Sequence, residues 1–399
     1  MILFLLSVLL NIISGVQATS YSYDVLDVPV YHTPFDFPTH FYRVYPRRTS
    51  FEVAMVGNWG SLNDWYSQLY RRDNWISMRY APVTFCPIGN QSFWFEGYTW
   101  VIDSGPFYTG LSIGKSSLHP NQSRDLSSSG QDPQYGMSAL VANEEAVDGE
   151  ASSTIHTGSF CVPISPTTSI QFWQSCISDE DECERRGSFL MVYTLKDDGT
   201  TLSLFRPQTI YSDYTTGHYE YGIFATMVVN QVIYLYAADY SSYSYSRDVL
   251  LARAPLATYS QKSTWTYWNN LKQRWSVIEP IADQRRDKTH AIYSLPEGDS
   301  FVGPSSVFYS EYHRAYLMIF LSSASGESSY IIEYAPTPVG PWSTNKQVLY
   351  NDPNYKAGLV TPTIFSTPLI NAPSGKQLLL IGSDLKYGFG AVIQKLIFA

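Results

Sequence analysis

A strand-turn-strand unit that recurs along the chain limits its fold more than any other feature. From Gln231 to Trp268 the sequence runs through VIYLYAAD, a Ser/Tyr-rich turn, DVLLARAPL and, after a polar gap, TWTYW. From Arg314 to Trp342 it runs through AYLMIFLSS, a Gly/Ser turn, YIIEYAPTP and then GPW, so a second strand again ends in Ala-Pro. Short apolar runs bounded by Gly, Ser, Pro and Asn read as β-hairpins. Similar units lie near Phe93, Gly187 and Lys376, which makes five in all. Only Asn58 to Tyr70 has short helical character. The expectation is an all-β chain, a five-bladed β-propeller with four-stranded antiparallel blades, because radial sheets let a long antiparallel chain avoid bare edges. A two-sheet sandwich or a pair of β-domains is the alternative.

The 399 residues can form one large domain or two ordinary ones. Residues 1–18 read as a secretory signal peptide: an apolar run from Ile2 to Ile13 is followed by Val16, Gln17 and Ala18. The run is shorter than the roughly 20 residues a bilayer-spanning helix needs. Residues 19–399 are then expected to form a single propeller domain. Within it, the Pro- and aromatic-rich stretch 19–60 is expected to pack as an extended arm, and Lys115 to Glu150 to form a long polar loop.

An exported chain meets oxidising conditions, and its four cysteines, Cys86, Cys161, Cys176 and Cys183, can pair completely there. Three connectivities are possible. Loop length favours Cys176 with Cys183 across the acidic turn, leaving Cys86 for Cys161. Sequons at Asn90 and Asn121 suit a glycosylated surface, so the protein is expected to be secreted or cell-wall associated, soluble after signal cleavage, and monomeric.

A net charge of −9 without a cluster of Lys and Arg argues against a nucleic-acid partner. Tyr alone numbers 32, and aromatic faces with polar edges suit both strand packing and stacking on sugar rings. The seven histidines form no HExxH and no close metal-ligand pair, and neither a cofactor nor a metal is expected. Gly110 to Gly114 satisfies G-x-S-x-G, but that motif works only on a strand-to-helix turn in an α/β sheet, for which this sequence has no pattern.

VLLARAPL with TWTYW, then GPSSVFYSEYHRAYLMIF, then EYAPTPVGPWS, together resemble the five-bladed propeller glycosidases. More narrowly, they resemble an exported, largely fungal family of unknown function allied to the endo-D-arabinanases. The resemblance implies two or three carboxylates meeting at the mouth of a central tunnel, near the inner strands of different blades. Glycoside hydrolysis needs one carboxylate as base or nucleophile and a second carboxyl as acid. The family pattern Arg-Asp-x-Gly-x-Ser falls on Arg72 to Ser77, which implies Asp73 as base or nucleophile beside Arg72, although Trp75 stands where the family has glycine. The family's next aspartate motif reads FWFEGYTW here, leaving Glu96 or Asp103 as nearby carboxylates. Glu220, before one strand, and Asp239, after another, are the candidate acids. His218 is placed to tune Glu220 and Tyr221 to touch substrate, while Glu311 reads as a turn residue or a partner of Arg314.

These residues fit a secreted hydrolase acting on a furanose-containing or related cell-wall polysaccharide. Two other functions fit the sequence. One is a propeller that binds glycan without turnover, which the incomplete set of family carboxylates favours; the other is a protein-binding scaffold.

Overall fold

The computed structural model describes residues 51, 53–62, 83–88, 91–96, 112–117, 127–128, 154–159, 161–179, 182–197, 202–205, 212–213, 216–238, 247–281, 289–301, 305–324, 327–344, 347–350, 365–368, 375–384 and 390–399. They are all-β, arranged as five antiparallel sheets. Strand β1 (Val53–Leu62) belongs to the last sheet in chain order. The first sheet holds β2 (Val83–Ile88), β3 (Gln91–Glu96), β4 (Ser112–Ser117) and β5 (Ser127–Ser128).

The second sheet is built on the long hairpin of β8 (Thr168–Asp179) and β9 (Glu182–Leu195). One edge carries β6 (Thr154–Gly158) and β7 (Val162–Ser165), both paired with β8; the other carries β10 (Leu202–Phe205) and β11 (Ser212–Asp213), both paired with β9. These six strands occupy four positions, because each edge is one strand position broken in two.

The third sheet runs β12 (Ala225–Val229), β13 (Val232–Ala238), β14 (Asp248–Pro255), β15 (Thr266–Asn269) and β16 (Arg274–Ser276), with β17 (Tyr293–Ser294) beside β15 on the far edge of β14. In the fourth, β18 (Asp299–Phe301) and β19 (Ser306–Ser310) share one edge of β20 (Ala315–Ala324), followed by β21 (Glu327–Ala335) and β22 (Gln347–Tyr350). The fifth is β23 (Phe365–Pro368), β24 (Gln377–Asp384) and β25 (Gly390–Phe398), completed by β1 from the opposite end of the chain.

The two hairpins that end in Ala-Pro are β13–β14 and β20–β21, in consecutive sheets. Ala254-Pro255 and Ala335-Pro336 therefore mark the same place, the end of the third strand position. Both residues before the prolines, Ala254 and Ala335, are fully buried.

Every residue of β13 is buried, which explains a run that reads as continuously apolar instead of alternating. One face, Ile233, Leu235 and Ala237, joins Ile170, Phe172, Leu190, Trp265 and Tyr267 in a core shared by the second and third sheets. On the other face, the Tyr236 hydroxyl donates to the Pro338 carbonyl at 3.1 Å in the fourth sheet's outer turn. Phe224, Phe301, Phe320 and Tyr293 stack edge-on or tilted between the third and fourth sheets, with ring centroids 4.9 to 6.2 Å apart. A third core of Phe51, Leu317, Ile319, Ile332, Leu378, Leu396 and Phe398 lies between the fourth and fifth.

The leading strands touch in sequence: β2 lies against β7, β7 against β12, β12 against β19 and β19 against β23. Contact of β2 with β24 links the first sheet to the fifth.

Two expectations change. Residues 53–62 are strand: β1 pairs with β25 from Val53↔Phe398 to Leu62↔Ala391, with a bulge between Asn58 and Gly60. The end of the proposed arm is thus a sheet strand, and tertiary pairing overrides the local helical pattern after Asn58. The third sheet also exceeds four positions, since TWTYW continues through a turn into β16.

Candidate functional site

The best-defined candidate site forms where the chain leaves the second sheet for the third. Asp213 ends β11, and its carbonyl accepts from the His218 amide at 3.2 Å and the Thr216 hydroxyl at 2.9 Å, so the chain turns back sharply. His218 then makes a single bridge with Ile281. The amides of Gly222 and Phe224 both donate to the Tyr236 carbonyl, at 3.0 and 3.2 Å, which seats the segment on β13. Gly222 has φ +91°, and a Cβ there would lie 2.5 Å from the Phe172 ring. Glycine is required twice over, by backbone conformation and by the close approach to the second sheet.

Glu220 is held by this segment with 3% of its surface exposed. Its Oε2 accepts from Gln174 Nε2 at 2.7 Å. Gln174 sits in β8 opposite Thr157 of β6 and Ser188 of β9, so the bond joins the second sheet to the lead-in of the third. A buried carboxyl needs such a donor, since desolvation without one costs about 1–3 kcal/mol for a neutral group and more for a charged one.

His218 faces a different carboxylate from the one expected. Its Nδ1 lies 3.1 Å from Glu279 Oε2, which is also 3.0 Å from Lys262 Nζ. Burial, then the Glu279 charge, pushes the Tyr267 hydroxyl well above the usual phenol range. The backbone bridge to Ile281 brings His218 beside the segment that carries Glu279. Tyr221 is also placed differently: it is 1% exposed, 5.2 Å from the Tyr267 ring and 6.3 Å from Tyr219, and belongs to the core between the sheets. Tyr219, Tyr221 and Ile223 all join the core shared by the second and third sheets.

A second buried carboxylate gives a contrast. Glu333, in β21, is fully buried; it accepts from the Tyr293 hydroxyl at 3.3 Å and from the Ser343 hydroxyl. Glu333 thereby ties the fourth sheet to β17 of the third, and its neighbours are hydroxyl groups that lock it in place.

Arg72, Asp73, Trp75, Asp103, Asp239, Asn90 and Asn121 lie outside the described residues. Glu96 ends β3, in register with Val83 and Ser112. Ser112, Ile113 and Gly114 are strand residues of β4, which is no setting for a nucleophile elbow. Glu311 and Arg314 occupy the turn between β19 and β20, with Arg314 at φ +52°. Cys161 is fully buried and disulfide-bonded. It immediately precedes β7, which lies against β2, the strand that contains Cys86. Cys176 and Cys183 lie in the β8–β9 hairpin, where Cys176 is in register with Arg185 and Cys183 with Ser178. Among the described residues, no group of three or more His, Cys, Asp or Glu side chains is arranged to hold a metal ion.

The chain belongs to a family described as a domain of unknown function, DUF5005, whose model matches residues 164–374. The match runs from the end of β7 in the second sheet, through the third and fourth sheets, past β23 of the fifth, and includes Gln174, Glu220 and Glu279. No curated protein sequence matches the chain. In structure, the chain is similar to a presumed hydrolase from Bacteroides ovatus, with a TM-score of 0.55 at 15% identity, over 94% of this chain and 96% of that one. It is also matched to the Bacillus subtilis arabinanase Arb43A, with a TM-score of 0.45 at 9% identity over 85% and 97% of the two chains. A third match is an α-L-arabinanase from Penicillium chrysogenum in complex with arabinobiose, with a TM-score of 0.43 at 9% identity over 81% and 95%. The first likeness speaks to the fold alone, and the other two are too distant in shape to add to it.

Proposed function

We propose that the five sheets are the blades of a propeller closed by β1, and that the protein hydrolyses a furanose-containing or related cell-wall polysaccharide after export. Contacts between successive leading strands support the blade reading, and the disulfide at Cys161 supports an oxidising compartment. The observation that carries the function is Glu220: a carboxyl held by a neighbouring blade, on the segment that runs into the leading strand of the third sheet. Its role is the acid, which protonates the leaving oxygen. Asp73, carried by the family motif and preceding the leading strand of the first sheet, is the base or nucleophile.

The 3% exposure of Glu220 favours a second reading, in which the carboxyl joins blades as Glu333 does and the protein binds glycan without cleaving it. Release of reducing ends from arabinan and mixed cell-wall polysaccharides separates the two. Hydrolysis by wild type that falls about 10²- to 10⁴-fold in Glu220→Gln, with the fold intact, supports the acid. Hydrolysis unchanged in Glu220→Gln removes Glu220 from the mechanism, and glycan binding without any turnover establishes the second reading.

A further inference from the structure

We infer that Gln174 is a positioning residue for Glu220, setting which of its oxygens carries the transferable proton and steadying the carboxylate left behind. The inference rests on Glu220 acting as the acid. An amide N–H can only donate, so the oxygen facing Gln174 Nε2 at 2.7 Å must accept in either protonation state. The carbonyl oxygen of a carboxylic acid accepts better than its hydroxyl oxygen, so in the acid form the bond favours Oε2 as the carbonyl oxygen and Oε1 as the one that carries the proton. During hydrolysis the Oε1–H bond breaks as an O–H bond forms on the glycosidic oxygen, and the bond from that oxygen to the anomeric carbon breaks. Water supplies the hydroxyl to the carbon and gives its proton to the base, so the overall reaction is hydrolysis and needs no other reactant.

As the proton leaves, the Gln174 bond changes from neutral to charge-assisted and strengthens. It is therefore worth more in the transition state than in the ground state, which is the condition for raising turnover and not merely binding.

The position of Gln174 gives this role a structural basis. The side chain projects from β8, which is hydrogen-bonded on both sides, to β6 and β9, and the preceding residues Phe172 and Trp173 are fully buried. The donor is thus mounted on the rigid interior of one sheet, while Glu220 stands on the lead-in of the next. Two sheets fix the carboxyl where one loop alone would leave it free to rotate.

The test is the pH profile of kcat/KM on arabinan and mixed cell-wall polysaccharide for wild type, Gln174→Met, Gln174→Glu and Glu220→Gln. Gln174→Met keeps the length and removes the donor. It should lower kcat roughly 10- to 100-fold with little change in KM, the loss expected for a hydrogen bond to a developing charge. The alkaline limb should move to higher pH, because the ionised form has lost its donor. Gln174→Glu places a second carboxyl that must share a proton with Glu220, and should move that limb further in the same direction. A merely structural Gln174 would lower the melting temperature of both variants and leave the limb in place, and that result overturns the inference, as does a wild-type kcat in Gln174→Met. If Gln174→Met does not fold, the limb of Gln174→Glu decides. If Glu220→Gln is as active as wild type, or wild type shows no cleavage, the reading of Glu220 has failed and the inference falls with it. Loss of activity in Glu220→Gln beside unaltered Gln174 variants sinks the inference alone.

Discussion

At the scale of single residues, the candidate site depends on one glycine as much as on its carboxylate. Gly222 combines φ +91° with a Cβ position 2.5 Å from the Phe172 ring, so Gly222→Ala must either strain the backbone or displace the ring. The expected destabilisation is about 2–4 kcal/mol, from strain and overpacking together. Urea denaturation measures it, and an unchanged midpoint would show that the lead-in segment moves aside easily. Glu220 was legible in the sequence as a carboxyl before a strand, but its donor was not, because Gln174 lies on another sheet and short-range pattern says nothing of such pairs. The same holds for His218, whose partner Glu279 comes from beyond the β15–β16 turn. Tyr221 reads the same way in sequence whether it lies in the core or beside substrate, because the segment from Tyr219 to Ile223 turns at Gly222 and carries no strand period.

At the scale of strands and their faces, buried tyrosines set the response to alkali. Burial raises the hydroxyls of Tyr193, Tyr236, Tyr267 and Tyr293 above the ordinary value; like-signed neighbours add to the effect for the last three. Each folded hydroxyl keeps its proton to a higher pH than in the unfolded chain. Below the unfolded value of about 10 the associated stability is fully present, and above it the unfolded chain binds fewer protons, so stability falls as pH rises. Melting temperatures from pH 8 to 11 should therefore drop steeply beyond about pH 10. A flat curve would mean that these hydroxyls reach solvent. Paired strands such as β13–β14 were readable because apolar run, Ser/Tyr-rich turn and apolar run lie together in sequence. The strand character of Asn58–Leu62 was not, since its partner β25 is at the far end of the chain.

At the scale of the whole molecule, chain closure rests on residues from both ends of the described sequence. Phe51, 5% exposed, packs 4.7 Å from the His313 ring and 6.3 Å from Phe398, next to the β1–β25 pair. Phe51→Ala should cost about 3–5 kcal/mol, as loss of a buried aromatic ring does. A chain starting after Leu62 should lose the outer strand of the fifth sheet and expose β25, shifting toward aggregates on size exclusion. Elution of that truncated chain as a monomer with a wild-type melting temperature would rule out β1 as the closing strand. The five hairpin units were visible in the sequence, and each falls in a different sheet. What could not be seen was the splitting of edge positions, as in β6–β7 and β18–β19, because a bulge or a short break leaves no distinctive residue pattern.

Placement of the sugar relative to the two proposed carboxyl positions tests the central claim most directly. An experimental structure of Glu220→Gln with an arabino-oligosaccharide should show residue 220 and Asp73 on either side of one glycosidic bond. Their separation would also decide the stereochemistry, about 5–5.5 Å for retention and about 6.5–9.5 Å for inversion. A sugar bound away from both residues, or Asp73 and residue 220 on opposite faces of the molecule, would contradict the account.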